Sequence, residues 1–203
     1  MPPAAPPVFI LGNKPGKLRI KVSGTTKILD AWIDQNNQVW ATMPIPSPLL
    51  IRKFGDISIV PLDGITHVVT TAPKREANPE ELKSIGRRIL EGRSLTTSVP
   101  ASGVMFVSRR NGELTIDPVV WVRDIKTLFY ETACASGTAA VAAVEAIKKR
   151  RSLDCIPIVQ PSGKNLLVSV MLRRGIPLSV EIGGPILVRR RNVAITTPNK
   201  GAL

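Results

Sequence analysis

The chain has 203 residues, 43% of them hydrophobic, with mean hydropathy +0.11: enough apolar material for one sizeable core, or two small ones, and too much for a disordered chain. Its charge of +13 and pI of about 10.5 raise an acidic partner, but aromatic residues make up only 4%, too few for a base-stacking platform. The basic residues are scattered outside Lys148–Arg151 and Arg189–Arg191, so a solvated basic surface is the simpler reading and a nucleic-acid partner is not expected.

Met1 to Pro7 is proline-stiffened and lacks the basic region and apolar run of a secretory signal. No stretch reaches the ~18 apolar residues of a membrane span. We divide the chain into a lead over 1–16, a domain over 17–190 and a basic, polar tail over 191–203. Lys17 to Val22 and Ile28 to Ile33 alternate around Gly24-Thr25-Thr26 as a β-hairpin, and Gln38 to Met43 reads as the next strand. Pro44-Ile45-Pro46-Ser47-Pro48 is a loop, because proline cannot serve a central ladder. Ile57 onward leads through Asp63-Gly64 into the β-branched strand Thr66 to Thr71, which carries the single histidine, His67. Asn78-Pro79-Glu80-Glu81 has a cap, a proline and acids in the order of a helix start. Leu82, Ile85, Ile89 and Leu90 then share one face, and Gly92 ends the helix. Gly103 to Ser108 and Glu113 to Trp121 are strands joined at Asn111-Gly112, a hairpin signal. Later strands are expected over Ile156 to Gln160, Leu166 to Leu172 and Leu178 to Ile182, and, after a Gly183-Gly184-Pro185 break, over Ile186 to Arg190.

The segment these elements serve is Glu131-Thr132-Ala133-Cys134-Ala135-Ser136-Gly137-Thr138, which opens a helix that is apolar nearly all round. Such a helix has to be buried, and its amino end, with unpaired N–H groups and the positive end of the dipole, is an anion site. A cysteine there is expected to ionise more easily than a free thiol, and Ser136 or Thr138 to cap the helix. The alternative is that Cys134 is a small buried hydrophobe. Cys134 and Cys155 give neither a disulfide framework nor metal-ligand spacing, so free thiols in a reducing, cytoplasmic setting are expected.

Glu131 to Ala140 resembles the second cysteine motif of the diaminopimelate epimerase superfamily, and Tyr130 before the acid is closest to its histidine racemase-like branch. Asp63 to Val69, Pro100 to Val107, and Gln160 to Gly163 with Gly183 to Pro185 resemble three further stretches of that superfamily, in order. The resemblance implies an α+β fold: a curved, barrel-like, mostly antiparallel sheet wrapped around a central hydrophobic helix, forming one half of a two-domain enzyme. It implies cofactor-independent racemisation or epimerisation of an amino acid, in which one cysteine removes the Cα proton and another returns a proton to the opposite face.

By motif position Cys134 is one such thiol, and the amides of Ala135, Ser136, Gly137 and Thr138 form the cradle for the substrate carboxylate. Glu131 orients Cys134 or binds the substrate amino group, although the epimerase's acid sits further upstream. His67 falls where the family has a histidine near the partner thiol; its plain reading is a core histidine. Ile65-Thr66 and Ala101-Ser102-Gly103 lack the family's asparagines for the distal head of diaminopimelate, which argues against that substrate. Ala135 replaces a glycine and is tolerated only at negative φ. By the motif order the chain matches the carboxyl half, with no counterpart of the half that holds the partner cysteine. Cys155, past the far end of the helix, cannot replace that cysteine, so a companion half or an oligomer would have to supply it. A domain that only binds an amino acid or carboxylate is the alternative function.

Overall fold

The computed structural model describes residues 16–21, 26–36, 38–73 and 77–184. The proline-rich lead up to residue 15, Gly24 and Thr25 of the first turn, the strand expected over Ile186 to Arg190, and the basic tail lie outside the described residues.

The first hairpin pairs β1 (Gly16–Lys21) with β2 (Ile28–Ile33), and β3 (Val39–Thr42) continues it. There Trp32 lies opposite Trp40 with the rings stacked at 6.4 Å. After the proline loop, β4 (Arg52–Phe54), β5 (Ile57–Leu62) and β6 (Ile65–Thr71) form an antiparallel meander. A crossover through α1 (Pro79–Glu91) and α2 (Leu95–Ser98) brings β7 (Ala101–Arg110) parallel to β6. β8 (Glu113–Val122) turns back along all of β7, and β9 (Thr127–Tyr130) pairs with β8. The turn between β7 and β8 uses Asn111 and Gly112 at φ 51° and 83°, the left-handed pair that suits a tight hairpin. The chain then enters α3 (Ala135–Lys149) and ends in the meander β10 (Leu153–Val159), β11 (Asn165–Arg173) and β12 (Ile176–Gly184). Gly183 and Gly184 thus belong to a strand and do not break one. Gly183 packs flat under the Trp40 ring, where a side chain would collide.

The strands form one sheet in the order β1-β2-β3-β12-β11-β10-β8-β7-β6-β5-β4. It is mostly antiparallel, with parallel pairs at β6–β7 and β10–β8. Among the described residues the sheet is open, with β1 and β4 as its ends, and does not close into a barrel. Its two halves are joined by the short β10–β8 ladder, Ile158 to Leu114 and Val159 to Thr115. α3 packs against β5, β6 and β7 of one half and β10, β11 and β12 of the other. Its Ala139, Ala140, Ala142, Ala143 and Ala146 are fully buried; side chains that small let strands approach from both sides.

Strand alternation assigns the two faces of β6–β8. Val68, Val104, Phe106, Val119 and Trp121 pack with Leu82 and Leu90 of α1, whereas Val69, Met105 and Val120 belong to the core around α3. His67, next to Val68, therefore falls on the α3 face. Full burial of a side chain such as Leu90 contributes about 1.5–3 kcal/mol. α1 approaches β8 closely at Gly86, where a Cβ would lie 2.9 Å from Val119 Cγ1. No helix among the described residues is long and apolar enough to cross a membrane.

Candidate active site

α3 starts at a residue the sequence did not single out as its cap. Cys134, in extended conformation at φ −136°, is itself the N-cap, and its Sγ accepts from the Gly137 N–H at 3.3 Å. Neither Ser136 nor Thr138 caps the helix. The Thr138 hydroxyl donates back to the Cys134 carbonyl at 2.8 Å, and the Thr138 N–H donates to the same carbonyl at 2.9 Å. Ala135 lies in the helix, outside the left-handed region, so its methyl group is accommodated.

The second support of this start is Gln160, just past the end of β10. Its Oε1 accepts from the Cys134 N–H at 3.0 Å, and its Nε2 donates to Thr138 Oγ1 and to the Ile158 carbonyl, both at 3.0 Å. Gln160 is buried and every one of these bonds is internal. The sequence placed Gln160 at the end of an expected strand and in a turn motif but gave it no role at the site; the available signal was a glutamine at the end of an apolar strand, where an unsatisfied amide would be costly. Gly137 has a packing reason as well: a Cβ there would run into the Met105 side chain and lie 3.0 Å from Cys134 Sγ.

Glu131 is placed by its backbone and by its neighbour. Its N–H donates to the Pro118 carbonyl at 3.0 Å, and the Tyr130 hydroxyl donates to Asp117 Oδ1 at 2.6 Å. The Glu131 carboxylate lies beside the Cys134 thiol and acts on it electrostatically. Burial first, and then this carboxylate, push the Cys134 thiol up to about 12. The expectation of an easily ionised thiol is therefore corrected: removal from water and an adjacent negative charge outweigh the helix end. Burial also raises the Glu131 carboxyl, with the neighbouring thiol opposing it.

His67 is wholly buried on β6, and its Nε2 lies 2.9 Å from Ser136 Oγ, which in turn lies 3.6 Å from Cys134 Sγ. Burial pushes the imidazole from its usual 6.5 down to about 3, so it is neutral across the physiological range. Near pH 7 His67 is thus a neutral hydrogen-bonding group. The structure thus brings Glu131, Cys134, Ser136 and His67 together.

It also divides the expected anion cradle. The Gly137 and Thr138 N–H groups are engaged by Cys134, whereas those of Ala135 and Ser136 have no partner among the described residues. Cys155 is elsewhere: it is exposed at a bulge in β10 with φ 48°. Among the described residues no group of three or more histidine, cysteine, aspartate or glutamate side chains could hold a metal ion.

Three comparisons bear on this arrangement. Residues 10–191 match the model of the histidine racemase CntK N-terminal domain. The chain is 28% identical over 159 residues to a histidine racemase of Fusobacterium nucleatum subsp. nucleatum, covering 74% of this chain and 57% of the relative. A histidine racemase from a second strain of that organism is 26% identical over 152 residues, covering 71% and 55%. The chain thus spans about half the length of these relatives. Among solved structures, a hydroxyproline epimerase from Agrobacterium vitis with bound trans-4-hydroxy-L-proline superposes with a TM-score of 0.59 at 13% identity, covering 86% of this chain and 58% of that one. The likeness to that epimerase is one of fold. The matching model describes an amino-terminal domain, which corrects the assignment to a carboxyl half made from motif order. The chain belongs to the histidine racemase CntK N-terminal domain family, within the diaminopimelate epimerase-like racemases and epimerases.

Proposed function

We propose that this chain is one half of a two-domain, cofactor-independent amino-acid racemase or epimerase, its sheet and α3 forming that half around Cys134 as one of the two reacting thiols. The observation that carries this reading is the environment of the Cys134 sulfur. As a thiol it is favoured by the negative charge of the neighbouring Glu131; as a thiolate it has a donor in the Gly137 N–H at 3.3 Å and the Ser136 hydroxyl within reach at 3.6 Å. Both protonation states are provided for, as an acid that becomes a base in the reverse direction requires.

With its pKa raised, Cys134 stands as the thiol at neutral pH, the form that delivers a proton. A partner thiolate from the other half, or from another chain, takes the Cα hydrogen, and the electron pair left on Cα takes the Cys134 proton from the opposite face. The products are the inverted amino acid, a Cys134 thiolate and a partner thiol. The N–H groups of Ala135 and Ser136, which have no partner among the described residues, receive the substrate carboxylate and stabilise charge building up beside it. Glu131 orients the thiol. Histidine is the first substrate to test, because the relatives that share this domain are histidine racemases.

The test is Cα hydrogen–deuterium exchange followed by NMR in D₂O, with L- and D-histidine and a panel of other amino acids, beside Cys134→Ser. Cys134-dependent exchange accompanied by inversion is the expected result when the other half or another chain supplies the partner thiolate, because Cys134 itself stands as the thiol at neutral pH. Binding of the amino acids with no such exchange in any of them would overturn the catalytic reading and leave an amino-acid-binding domain.

A further inference from the structure

The hydrogen bond between His67 and Ser136 has a direction that the burial of His67 fixes. Only one imidazole nitrogen has a partner: Nε2 meets Ser136 Oγ at 2.9 Å, while Nδ1 is buried with none among the described residues. Nδ1 faces Gly103, where even a Cβ would lie 2.7 Å away, and Met105 closes the same space. One nitrogen of a neutral imidazole carries hydrogen and the other a lone pair. An orphaned buried N–H is rarer in proteins than an unfilled acceptor, so the partners assign the hydrogen to Nε2. Nε2–H then donates to Ser136 Oγ. The serine, having accepted, has its own hydrogen left to give, and Cys134 Sγ at 3.6 Å is within reach of it.

We propose that His67 is a positioning residue whose Nε2–H orients the Ser136 hydroxyl so that it donates to the sulfur of Cys134. Through that hydroxyl a fully buried ring on β6 favours the thiolate at the start of α3 without exchanging a proton itself. Glu131 is the charged group acting on Cys134 and works in the opposite sense, holding the proton on sulfur. The inference rests on the reading of Cys134 as the reacting thiol. Its test uses no substrate, so a failure of Cα exchange and a failure of this coupling are read separately.

The experiment is alkylation of Cys134 by iodoacetamide as a function of pH, in a Cys155→Ser background because Cys155 is exposed, with the modified site identified by mass spectrometry. Ser136→Ala should slow alkylation about tenfold at a given pH, equivalent to a profile displaced upward by about one pH unit. His67→Met, which removes the donor, should do the same, and His67→Gln, which retains an N–H, should restore most of the rate. Because His67 acts through Ser136, the double variant Ser136→Ala/His67→Met should be no slower than either single variant. Two results would overturn the proposal: a profile unmoved by Ser136→Ala, which is half-buried and tolerates the change, or effects of the two substitutions that multiply.

Discussion

The two long helices begin in opposite ways. α1 starts with the residues that suit a helix: Asn78 Oδ1 accepts from the Glu81 N–H at 3.0 Å, Glu81 Oε2 accepts from the Asn78 N–H at 3.1 Å, and Pro79 follows with Glu80 at the positive end. α3 starts with a cysteine, whose sulfur is a weak acceptor, and has no acid in its first turn. Its start is held from outside, by Gln160, and two of its N–H groups have no partner among the described residues. The first arrangement optimises a helix; the second keeps a reactive sulfur and open donors at one point in the core and makes up the stability elsewhere. At its other end α3 follows the ordinary rule, with Lys148 and Lys149 in the last turn and Glu145 held by Arg109 at 2.9 Å.

This contrast can be broken from several directions. The largest effect should be acid lability. A neutral His67 must become charged when the chain unfolds, so its contribution is complete above pH 6.5 and is lost as the pH falls toward 3. The size is on the order of 4 kcal/mol, read as the difference in urea-unfolding free energy between wild type and His67→Gln across that range. Gln160→Leu removes three buried hydrogen bonds from the start of α3 and should cost about 2–3 kcal/mol in the same measurement. Asn78→Ala removes the cap of α1 and should cost about 1 kcal/mol, while leaving the pH profile of Cys134 alkylation unchanged. Arg109→Ala should also leave that profile in place, since Arg109 serves the far end of α3 through Glu145, with a stability loss of up to about 1 kcal/mol because the pair is partly solvated.

The start of α1 was legible to the residue, because cap, proline and acids act within one turn of chain. The β7–β8 hairpin was legible for the same local reason, its turn being set by Asn111-Gly112. Arg52–Phe54, Leu95–Ser98 and Thr127–Tyr130 escaped because segments of three or four residues carry no period. At the candidate site, Cys134 and Glu131 could be named from their motif, but the raised thiol could not: it depends on burial by strands that meet α3 from distant parts of the chain. Gln160 and His67 reach the start of α3 from 22 to 69 residues away, and only the folded sheet brings them there.

On the proposed function, the start of α3 trades a good helix cap for a reactive sulfur. Cys134→Ser tests it most directly, with urea-unfolding stability and Cα exchange measured on the same sample. The expected result is a protein as stable as wild type, or up to about 1 kcal/mol more stable because oxygen is the better cap, with exchange abolished. A variant that keeps exchange while losing stability would mean that Cys134 is there for packing alone, and would contradict it.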